Sequence, residues 1–489
     1  MENRFTLIDE PWIPVADVGL VSLKDIFSRT DLYTLGGTPL QKIALMKLLL
    51  AIAQAAHSPE NTREWVQGGV QAMAQASLRY LEQWYDRFWL YGEKPFLQMP
   101  AVHKAKLQSY GALMPEIASG NTTVLTQISR AKPLSDAEKA LLLLVNMSCC
   151  FSGKKTDKNI VLSPGVEKKS AKAGPALCSL GLLHSFLTGE NIMHSLWLNM
   201  LTQDMFGEKS IYPTLGTAPW ESMPQGENCP VAQALRHSLM GRLVPLARFC
   251  LLHEEGVHFV EGIQHPDYLQ GVVDPSVSED RSATKPKMLW ADPEKRPWRE
   301  LTALLSFLQA EGKQKVHCLH ISEGIPRLTE TKVTHFGIWC GGIRLSSNAG
   351  EQYLSGMDDS VQSELHFETQ YVSTPWYMAL KDAMQRLEGV SKVLYGAVLG
   401  YYKALKVAQA EDYAKKATSL FWQAAEQSFS ALSIACYPEN QAQRHSVVKS
   451  IAAKAHTAYA ALCPQGTARQ LQAWVEHRPK LGKILATKS

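Results

Sequence analysis

The stretch Ser373-Thr374-Pro375-Trp376-Tyr377 decides the predicted fold, because the composition of the chain changes there. From this point to the C-terminus the sequence is rich in Ala, Leu, Lys and Gln, and short breaks occur near 409–411, 437–440 and 463–466. Three breaks leave four helical segments of roughly 20–35 residues each, and such segments commonly pack as an up-down bundle. Residues 371–489 are therefore predicted to form a C-terminal four-helix bundle.

Residues 1–370 are predicted to form a separate domain, because a chain of 489 residues exceeds what one hydrophobic core usually organises. Thr38-Pro39 places a hydroxyl cap before a proline at the first helical position, so we expect a helix through about His57. Ser135 and Glu138 form a capping box that starts another helix, expected to end near 151–153. Between 208 and 370, Pro, Gly and short β-prone runs dominate. The fold class is therefore α+β, with a large, mixed, irregular N-terminal domain.

The bulk composition is that of a soluble globular protein, with 45% apolar and 20% charged residues. A net charge of +4 is too small for a general nucleic-acid coat, so any such role must come from local patches. The nine cysteines are scattered, which favours reduced thiols in the cytoplasm. The first residues lack the apolar core of a signal peptide. The apolar run 43–56 is interrupted by Lys47 and Gln54, so we expect a buried helix and no membrane association.

The motifs of common enzyme classes are absent from the sequence. It contains no P-loop, no G-x-G-x-x-G, no G-x-S-x-G and no H-E-x-x-H. The best metal candidate, His317-Cys318-x-His320, lies on an alternating, strand-like run and lacks a spaced second pair of ligands. We interpret these residues as structural, and we expect no bound metal, no cofactor and no catalytic activity.

Two alternative functions stay open at this point. A cluster of carboxylates could hold a divalent ion in a metal-dependent nuclease; its members, within 351–364, are Glu351, Asp358, Asp359 and Glu364. Because no His or Lys partner stands at a useful spacing, solvated loop acids are the preferred interpretation. The second alternative is a purely architectural helical scaffold, in which the basic residues make no contact with nucleic acid.

A pair of glycines follows the apolar, strand-like run 336–340. The sequence continues Gly341-Gly342-Ile343-Arg344-Leu345-Ser346-Ser347-Asn348. Adjacent glycines let the backbone turn sharply and approach a partner closely. An arginine, two hydroxyls and an amide follow, and these groups can contact phosphates and base edges. The pattern predicts a polar tip on a stiff stem.

The segment 153–174 carries a local excess of positive charge. It holds six lysines against Asp157 and Glu167, a net of +4 that equals the net charge of the whole chain. The segment has no helical or strand periodicity and contains Pro164 and Gly165. It is predicted to be a basic loop that contacts phosphates.

Three segments carry a resemblance to a known family, the large subunits (CasA) of the type I-E CRISPR Cascade complex. The stretch 341–353 looks like the family's duplex-opening loop. Residues 7–15, beginning Leu7-Ile8-Asp9-Glu10-Pro11-Trp12, are similar to the family's opening, and residues 88–98, beginning Phe88-Trp89-Leu90-Tyr91-Gly92, resemble another of its segments. Some relatives carry a cysteine cluster that looks like a zinc site, which has no counterpart here.

The resemblance implies two sites for recognition of the protospacer-adjacent motif in double-stranded DNA. The first is a loop that approaches the minor groove, where Gly153 matches the contact glycine and Lys154 and Lys155 follow it. The second is a lysine before Trp290, for which Lys285 and Lys287 are both candidates. A glycine suits the first site because the absence of a side chain lets backbone amides reach the floor of a narrow groove.

The resemblance also implies a site that opens the duplex, at the loop after the two glycines. Its wedge positions fall at Ser346 and Ser347, and Asn348 is an alternative wedge because an amide is longer than a hydroxyl. The implied residues are Gly341, Gly342, Arg344, Ser346, Ser347 and Asn348.

A further segment, 119–127, looks like the one that anchors the subunit near the 5′ handle of the CRISPR guide RNA, with Asn121, Thr122 and Thr126 as candidates. The family often has an aromatic residue at the position of Thr126. The implied protein is a non-catalytic subunit whose other partners are the backbone, small and 5′-handle-binding subunits of Cascade and a helicase–nuclease recruited in trans.

Overall fold

The computed structural model describes residues 2–114, 133–149, 157, 160–164, 181–208, 210–266, 274–281, 287–293, 297–308, 316–348, 351–354 and 359–485. The chain forms two compact units. The first comprises Met1–Ala291 and Cys318–Gln362, and the second comprises Asp292–His317 and Ser363–Ser489. The domain boundary predicted after residue 370 stays a prediction, although the last stretch of the first unit ends at Gln362 and the second unit includes an earlier segment.

Short strands and longer helices alternate along the described residues. The strands are β1 Arg4–Thr6, β2 Ile13–Val15, β3 Gly19–Val21, β4 Trp89–Tyr91, β5 His184–Thr188, β6 Arg248–Leu252, β7 Val257–Glu261, β8 Glu279–Asp280, β9 Lys287–Met288, β10 Val316–His317, β11 His335–Ile343, β12 Ser346–Asn348, β13 Glu351–Tyr353 and β14 Ser360–Glu368. The helices are α1 Leu23–Ser28, α2 Pro39–Ala56, α3 Thr62–Gln83, α4 Asp136–Ser148, α5 Ile192–Asn199, α6 Pro230–Arg236, α7 Leu239–Leu243, α8 Leu301–Leu304, α9 Leu319–Arg327, α10 Thr374–Ala404, α11 Ala410–Glu426, α12 Phe429–Ala435, α13 Gln441–Leu462, α14 Ala468–Glu476 and α15 Gly482–Leu485.

Helix α2 is the central helix of the first unit. Its start is fixed as predicted, because the Thr38 side chain accepts a hydrogen bond from the Gln41 backbone N–H and the Thr38 backbone N–H donates to the Gln41 side-chain oxygen. α2 is long and apolar enough to cross a membrane, but 78% of it is buried within the protein, as in the core helix of a soluble domain. Its polar residues are buried with partners: the Gln54 amide donates to the Leu201 carbonyl at 3.1 Å, and Lys47 pairs with Asp274. The predicted buried helix is confirmed.

The sheets of the first unit are small and antiparallel, which suits an α+β fold. β1 pairs with β4, β2 with β3, β6 with β7, β8 with β9, and β12 with β13. Strand β11 pairs with β5 and contacts helix α2. In its register Trp339 lies opposite Phe186, and Gly341 lies opposite His184. This sheet holds the segment that carries the glycine pair.

Two local expectations are corrected by the structure. The run around His317 is not one continuous strand: β10 ends at His317 and helix α9 begins at Leu319, with buried Cys318 between them. The alternation was therefore a misleading signal, because a two-residue strand followed by an amphipathic helix produces the same short pattern. Helix α4 begins at its predicted capping box and ends at Ser148, a few residues before the predicted end near 151–153. Residues 151–153 lie outside the described residues.

The second unit contains the predicted helical bundle. Helices α10, α11 and α13 pack on one another, and their core includes Trp376, Leu387, Trp422 and Ile451. The Trp422 indole donates to the Ser391 hydroxyl at 3.1 Å, which ties α11 to α10. The breaks at 437–440 and 463–466 are confirmed, and the first break falls at 405–409. The helical segments are less even than predicted, because α11 and α12 are separated at 427–428 and the last segment is divided into the short α14 and α15.

Candidate nucleic-acid interface

The glycine pair lies inside strand β11 and does not form the predicted sharp turn. Both glycines are buried, and the strand continues through them to Ile343. They are needed because of close packing: a Cβ on Gly342 would lie 2.6 Å from the Leu182 carbonyl oxygen and 2.8 Å from the Ala291 Cβ. A Cβ on Gly341 would meet the Trp339 indole at 2.5 Å. The segments that approach the glycines closely belong to the first unit itself, and the approach of the glycines to a nucleic-acid partner stays a prediction.

A β-hairpin follows the stem strand β11. Strands β12 and β13 pair antiparallel, with Ser346 opposite Tyr353, Ser347 opposite Gln352 and Asn348 opposite Glu351. The three candidate wedge residues therefore make up the first strand of this hairpin, close to the connection at 349–350. Their side chains lie outside what the structure describes. A two-stranded ribbon of this kind has the width to enter a groove of duplex DNA.

Arg344 and Asp359 close the base of the hairpin. The Arg344 backbone N–H donates to the Asp359 carbonyl at 2.8 Å, and its guanidinium Nη2 lies 3.0 Å from Asp359 Oδ1. The Asp359 side chain is 3% exposed and the Arg344 side chain is 45% exposed. The carboxylate thus orients an arginine that still presents part of its guanidinium to solvent, where a phosphate could reach it.

The same ion pair bears on the acidic cluster of the nuclease alternative. Asp359 directs its carboxylate to Arg344, Asp358 lies outside the described residues, and so does the side chain of Glu351. Within the described ranges, no group of three or more His, Cys, Asp or Glu side chains is placed to hold a metal ion. The described residues therefore give no structural support to the nuclease alternative.

Lys287 and Trp290 are the described members of the predicted lysine site. Lys287 is exposed on β9, where it lies opposite Asp280. Trp290 is 63% exposed and forms a bridge with Leu182, while the following Ala291 N–H donates to the Gly181 carbonyl at 2.8 Å. Leu182 and Ala291 are also the neighbours of Gly342. The segment after Lys287 and the stem of the hairpin therefore pack against each other.

The remaining candidates lie outside the described residues, so their contacts stay predictions. They are Gly153, Lys154 and Lys155 of the basic loop, Lys285 of the lysine site, and Asn121, Thr122 and Thr126 of the guide-RNA segment. The residue before the basic loop that the structure describes is Cys149, which caps α4 through a bond from its N–H to the Val145 carbonyl.

A buried polar network stabilises strand β5, which pairs with β11. Lys47 of α2 donates to Asp274, whose Oδ1 accepts from the Ser276 N–H at 3.0 Å and from the Ser276 hydroxyl at 2.6 Å. His184 Nδ1 lies 2.7 Å from the same hydroxyl, and His184 is the residue opposite Gly341. Burial alone would raise the pKa of Asp274, but the charges of Lys47 and His184, with the hydrogen bonds from Lys47 and Ser276, hold it below its ordinary value. The network fixes the position of the strand next to the stem.

A second basic region was missed by the sequence reasoning, although a charge count finds it. Residues 441–489 contain eight Lys or Arg against one Glu, a net of +7 that exceeds the +4 of the whole chain. Two of these residues, Arg469 and Arg478, lie near the end of α10: the Arg469 guanidinium donates to the Ala404 carbonyl at 3.2 Å, and a Cβ on Gly400 would overlap Nδ1 of His477, the residue before Arg478. We call the exposed cations there the bundle-end surface; they are Lys403, Lys406, Arg469 and Arg478.

Comparison with known families identifies the fold. The model of a family described as CRISPR-associated protein Cse1 matches residues 6–462 of the chain. The chain belongs to the Cse1 family. The resemblance to the CasA large subunits is thereby confirmed, since the matched range includes the hairpin, its stem and the helical bundle as far as α13.

Relatives of this Cse1-family chain include the CRISPR-associated protein CasA/Cse1 of Thermus thermophilus, which is 32% identical over 214 residues. That match spans 41% of this chain and 40% of the relative. Among solved structures, a crystal structure of CasA from Thermus thermophilus has a TM-score of 0.74 at 18% identity over 99% of both chains. Cse1 of Thermobifida fusca has a TM-score of 0.72 at 20% identity over 98% of both.

A chain from a structure described as a CRISPR RNA-guided surveillance complex has the same fold. Its TM-score is 0.70 at 17% identity, and the match covers 99% of the Cse1-family chain and 100% of that chain. At these identities the likeness concerns the fold. It confirms the α+β class with helices at the C-terminal end.

Proposed function

We propose that this chain is the non-catalytic large subunit of a type I-E Cascade, an RNA-guided DNA-surveillance complex of the cytoplasm that acts in antiviral defence. It recognises the protospacer-adjacent motif in duplex DNA, starts strand separation and helps to recruit a helicase–nuclease. Membership of the Cse1 family supports the assignment. The observation that carries the opening step is the β12–β13 hairpin, whose stem is fixed at Gly342 and at the Arg344–Asp359 pair.

A fixed stem matters because opening DNA is energetically uphill. Unstacking a base step costs about a few kcal/mol, which a flexible loop would add to its own loss of conformational entropy. A hairpin held at its base loses less entropy when it enters the duplex. Ser346, Ser347 and Asn348 lie on the strand that leads to its connection, where a polar side chain can replace a lost stacking or pairing partner. Pairing of the opened strand with the guide then offsets the remaining cost.

Motif recognition belongs to two further sites of the chain. Gly153 with Lys154 and Lys155 approaches the minor groove, and Lys285 or Lys287 reaches the same groove from the segment before Trp290. Discrimination by the protein is short, because the minor groove carries a degenerate code and the long sequence is checked by the guide. Lys287 is exposed, and the segment that follows it packs beside the hairpin stem. Both observations support a part for Lys287 in motif recognition.

The other partners are the guide RNA and the remaining subunits of the complex. Asn121, Thr122 and Thr126 anchor the subunit near the 5′ handle of the guide. The helical bundle contacts the small subunit and the displaced strand. The bundle-end surface supports the contact with the strand, because clustered exposed cations attract a phosphate backbone and release its counterions.

The test compares two classes of variant in the assembled complex. Ser347→Ala with Asn348→Ala should impair R-loop formation more than initial binding to motif-bearing duplex, since binding rests largely on phosphate contacts elsewhere. A target with a few premelted base pairs beside the motif should rescue this variant, because its stacking is already lost. Gly342→Val is the matched control: it displaces the stem, so its defect should persist on the premelted target. Equal defects of the alanine variant on intact and premelted DNA would assign the hairpin to docking.

Absence of catalysis has its own test. The purified complex should leave a supercoiled plasmid intact in the presence of Mg²⁺ when the helicase–nuclease is omitted. Cleavage that disappears in Asp358→Ala with Asp359→Ala would instead establish the nuclease alternative.

A further inference from the structure

Trp290 is an exposed indole in a position that is otherwise rigid. It is 63% exposed, in contrast to the five tryptophans that belong to the largest fully buried side chains. Exposing a large apolar ring to water is unfavourable by about 25 cal/mol for each Å² that could be buried, so an exposed indole held by its surroundings suggests a ligand. Isolated surface apolar residues are common, so the argument depends on what fixes this one and on what lies next to it.

One side of the indole rests on Gly181. The backbone there has φ +86°, and a Cβ at this position would lie 2.9 Å from Cζ3 and 3.0 Å from Cε3 of Trp290. Glycine is favoured for both reasons, since other residues rarely adopt this φ and a methyl group would displace the ring. The backbone on either side is tied to the segment around Gly181, because the Leu183 N–H donates to the Leu289 carbonyl at 2.9 Å. The backbone that carries the ring is therefore held in place, and one side of the ring packs on Gly181.

The indole also lies next to the stem of the hairpin. The same hypothetical Cβ on Gly181 would be 3.6 Å from Leu345 Cδ1, and Leu345 is the residue before β12. Gly342 of the stem packs against Leu182, the bridge partner of Trp290, and against Ala291, the residue after Trp290. The exposed indole therefore lies beside the base of the hairpin.

We propose that Trp290 stacks on an unpaired nucleobase of the target DNA, beside the β12–β13 hairpin. The inference rests on the proposed opening function and adds a residue to it. Every base has a π-face, so a stacking platform accepts any sequence and suits a step that must open many different targets. Nearby Lys287 supplies a cation for the phosphate on the same strand. The platform compensates for part of the stacking that the opened base loses.

The experiment uses the full chain in its complex and short duplexes with a two-base mismatch bubble next to the motif. Trp290→Leu keeps apolar bulk and removes the π-face, and Trp290→Phe keeps a π-face. We expect the leucine variant to bind the bubble duplex about tenfold more weakly, which corresponds to about 1.4 kcal/mol, and the phenylalanine variant to stay within about threefold of the parent. Tyr33→Leu is the matched control, because Tyr33 is another exposed aromatic residue, at 67% exposure, in the first unit.

An abasic scan identifies the base. Removing the stacked base from the bubble should weaken the parent to the level of Trp290→Leu and leave that variant unchanged, whereas removing other bases should affect both equally. Equal binding of the parent and Trp290→Leu on every bubble would overturn the proposal. So would a leucine variant that binds DNA normally and fails to enter the complex, since the indole would then contact a protein. A separate outcome concerns the parent complex alone. If it binds motif-free duplex as tightly as motif-bearing duplex, the proposed function is overturned.

Discussion

The guanidinium of Arg344 lies 3.0 Å from the carboxylate of Asp359, which is almost fully buried. The pair closes the base of the hairpin, because the two residues flank strands β12 and β13 in sequence and are also joined through their backbones. A buried carboxylate needs a partner, whereas a half-exposed guanidinium can be hydrated by water. The arginine therefore stabilises the hairpin base even if it also meets a phosphate.

Arg344→Met is expected to lower the free energy of unfolding by about 1–2 kcal/mol, because it leaves the Asp359 carboxylate without its cation. The double variant Arg344→Met with Asp359→Asn should lose less than the sum of the two single variants. Urea unfolding of all four proteins measures this coupling. Additive losses would mean that the ion pair contributes nothing to the hairpin base.

Gly342 and Gly396 give opposite predictions for the same substitution. Gly342→Ala should lower the free energy of unfolding by about 1–3 kcal/mol, because its methyl group would overlap the Leu182 carbonyl and the Ala291 side chain. Gly396 lies in α10, and the space that a Cβ would occupy there is open, so Gly396→Ala should raise stability by about 0.5–1 kcal/mol. Thermal unfolding measures both. A tolerated alanine at 342 would show that the stem can relax.

Helix starts could be predicted from neighbouring residues in the sequence, whereas the role of the pair Gly341-Gly342 could not. The starts of α2 and α4 and the change of composition at 373–375 were predictable, because caps and prolines act on their own turn of helix. The glycine pair was predicted to turn because a turn and a close approach both favour glycine. Which of them applies depends on Leu182, more than 150 residues away in the sequence, whose carbonyl oxygen lies where a Cβ on Gly342 would be.

The extent of the second unit could not be predicted for the same reason, because it depends on contacts between residues far apart in the sequence. Asp292–His317 belongs with the bundle, where Arg299 bonds Glu388 at 2.7 Å and the Tyr377 hydroxyl donates to the Thr302 carbonyl at 2.8 Å. No sequence pattern within that segment predicts contacts with residues so distant in the chain. The hairpin was located through the family resemblance, but the partner of Arg344 needed the structure. The bundle-end charge was countable in the sequence, and only its clustering at the end of α10 needed coordinates.

His320 should make the first unit less stable in mild acid. Burial lowers the pKa of His320 from 6.5 to about 3, Asp274 opposes the shift and Arg327 adds to it. Between these values the unfolded chain binds a proton that the folded protein does not, so the free energy of unfolding falls as pH falls from about 6.5. The contribution of one such histidine is about 2 kcal/mol between pH 6.5 and 5.

His320→Leu should flatten this dependence by that amount, and exposed His335→Ala is the control. Urea unfolding at a series of pH values provides the slopes. The ring of His320 packs at 5.6 Å from that of Phe186, so leucine keeps an apolar neighbour there. An unchanged slope in His320→Leu would show that the histidine is protonated within the fold.

The bundle-end surface should bind single-stranded DNA in a salt-dependent manner. Lys403 and Lys406 are exposed at the end of α10, where Arg469 also lies, so their phosphate contacts would release counterions. Lys403→Ala with Lys406→Ala should reduce the slope of log affinity against log salt by about 0.7 for each lysine that contacts a phosphate, or about 1.4 for both. Lys415→Ala with Lys416→Ala is the control, because these exposed lysines of α11 follow Glu411 and Asp412, whose charges compensate theirs. Fluorescence anisotropy of a labelled single strand, titrated with the complex at several salt concentrations, measures the slopes. If the two pairs change the slope equally, the bundle binds the strand through its general charge, and the bundle-end surface has no special part in it.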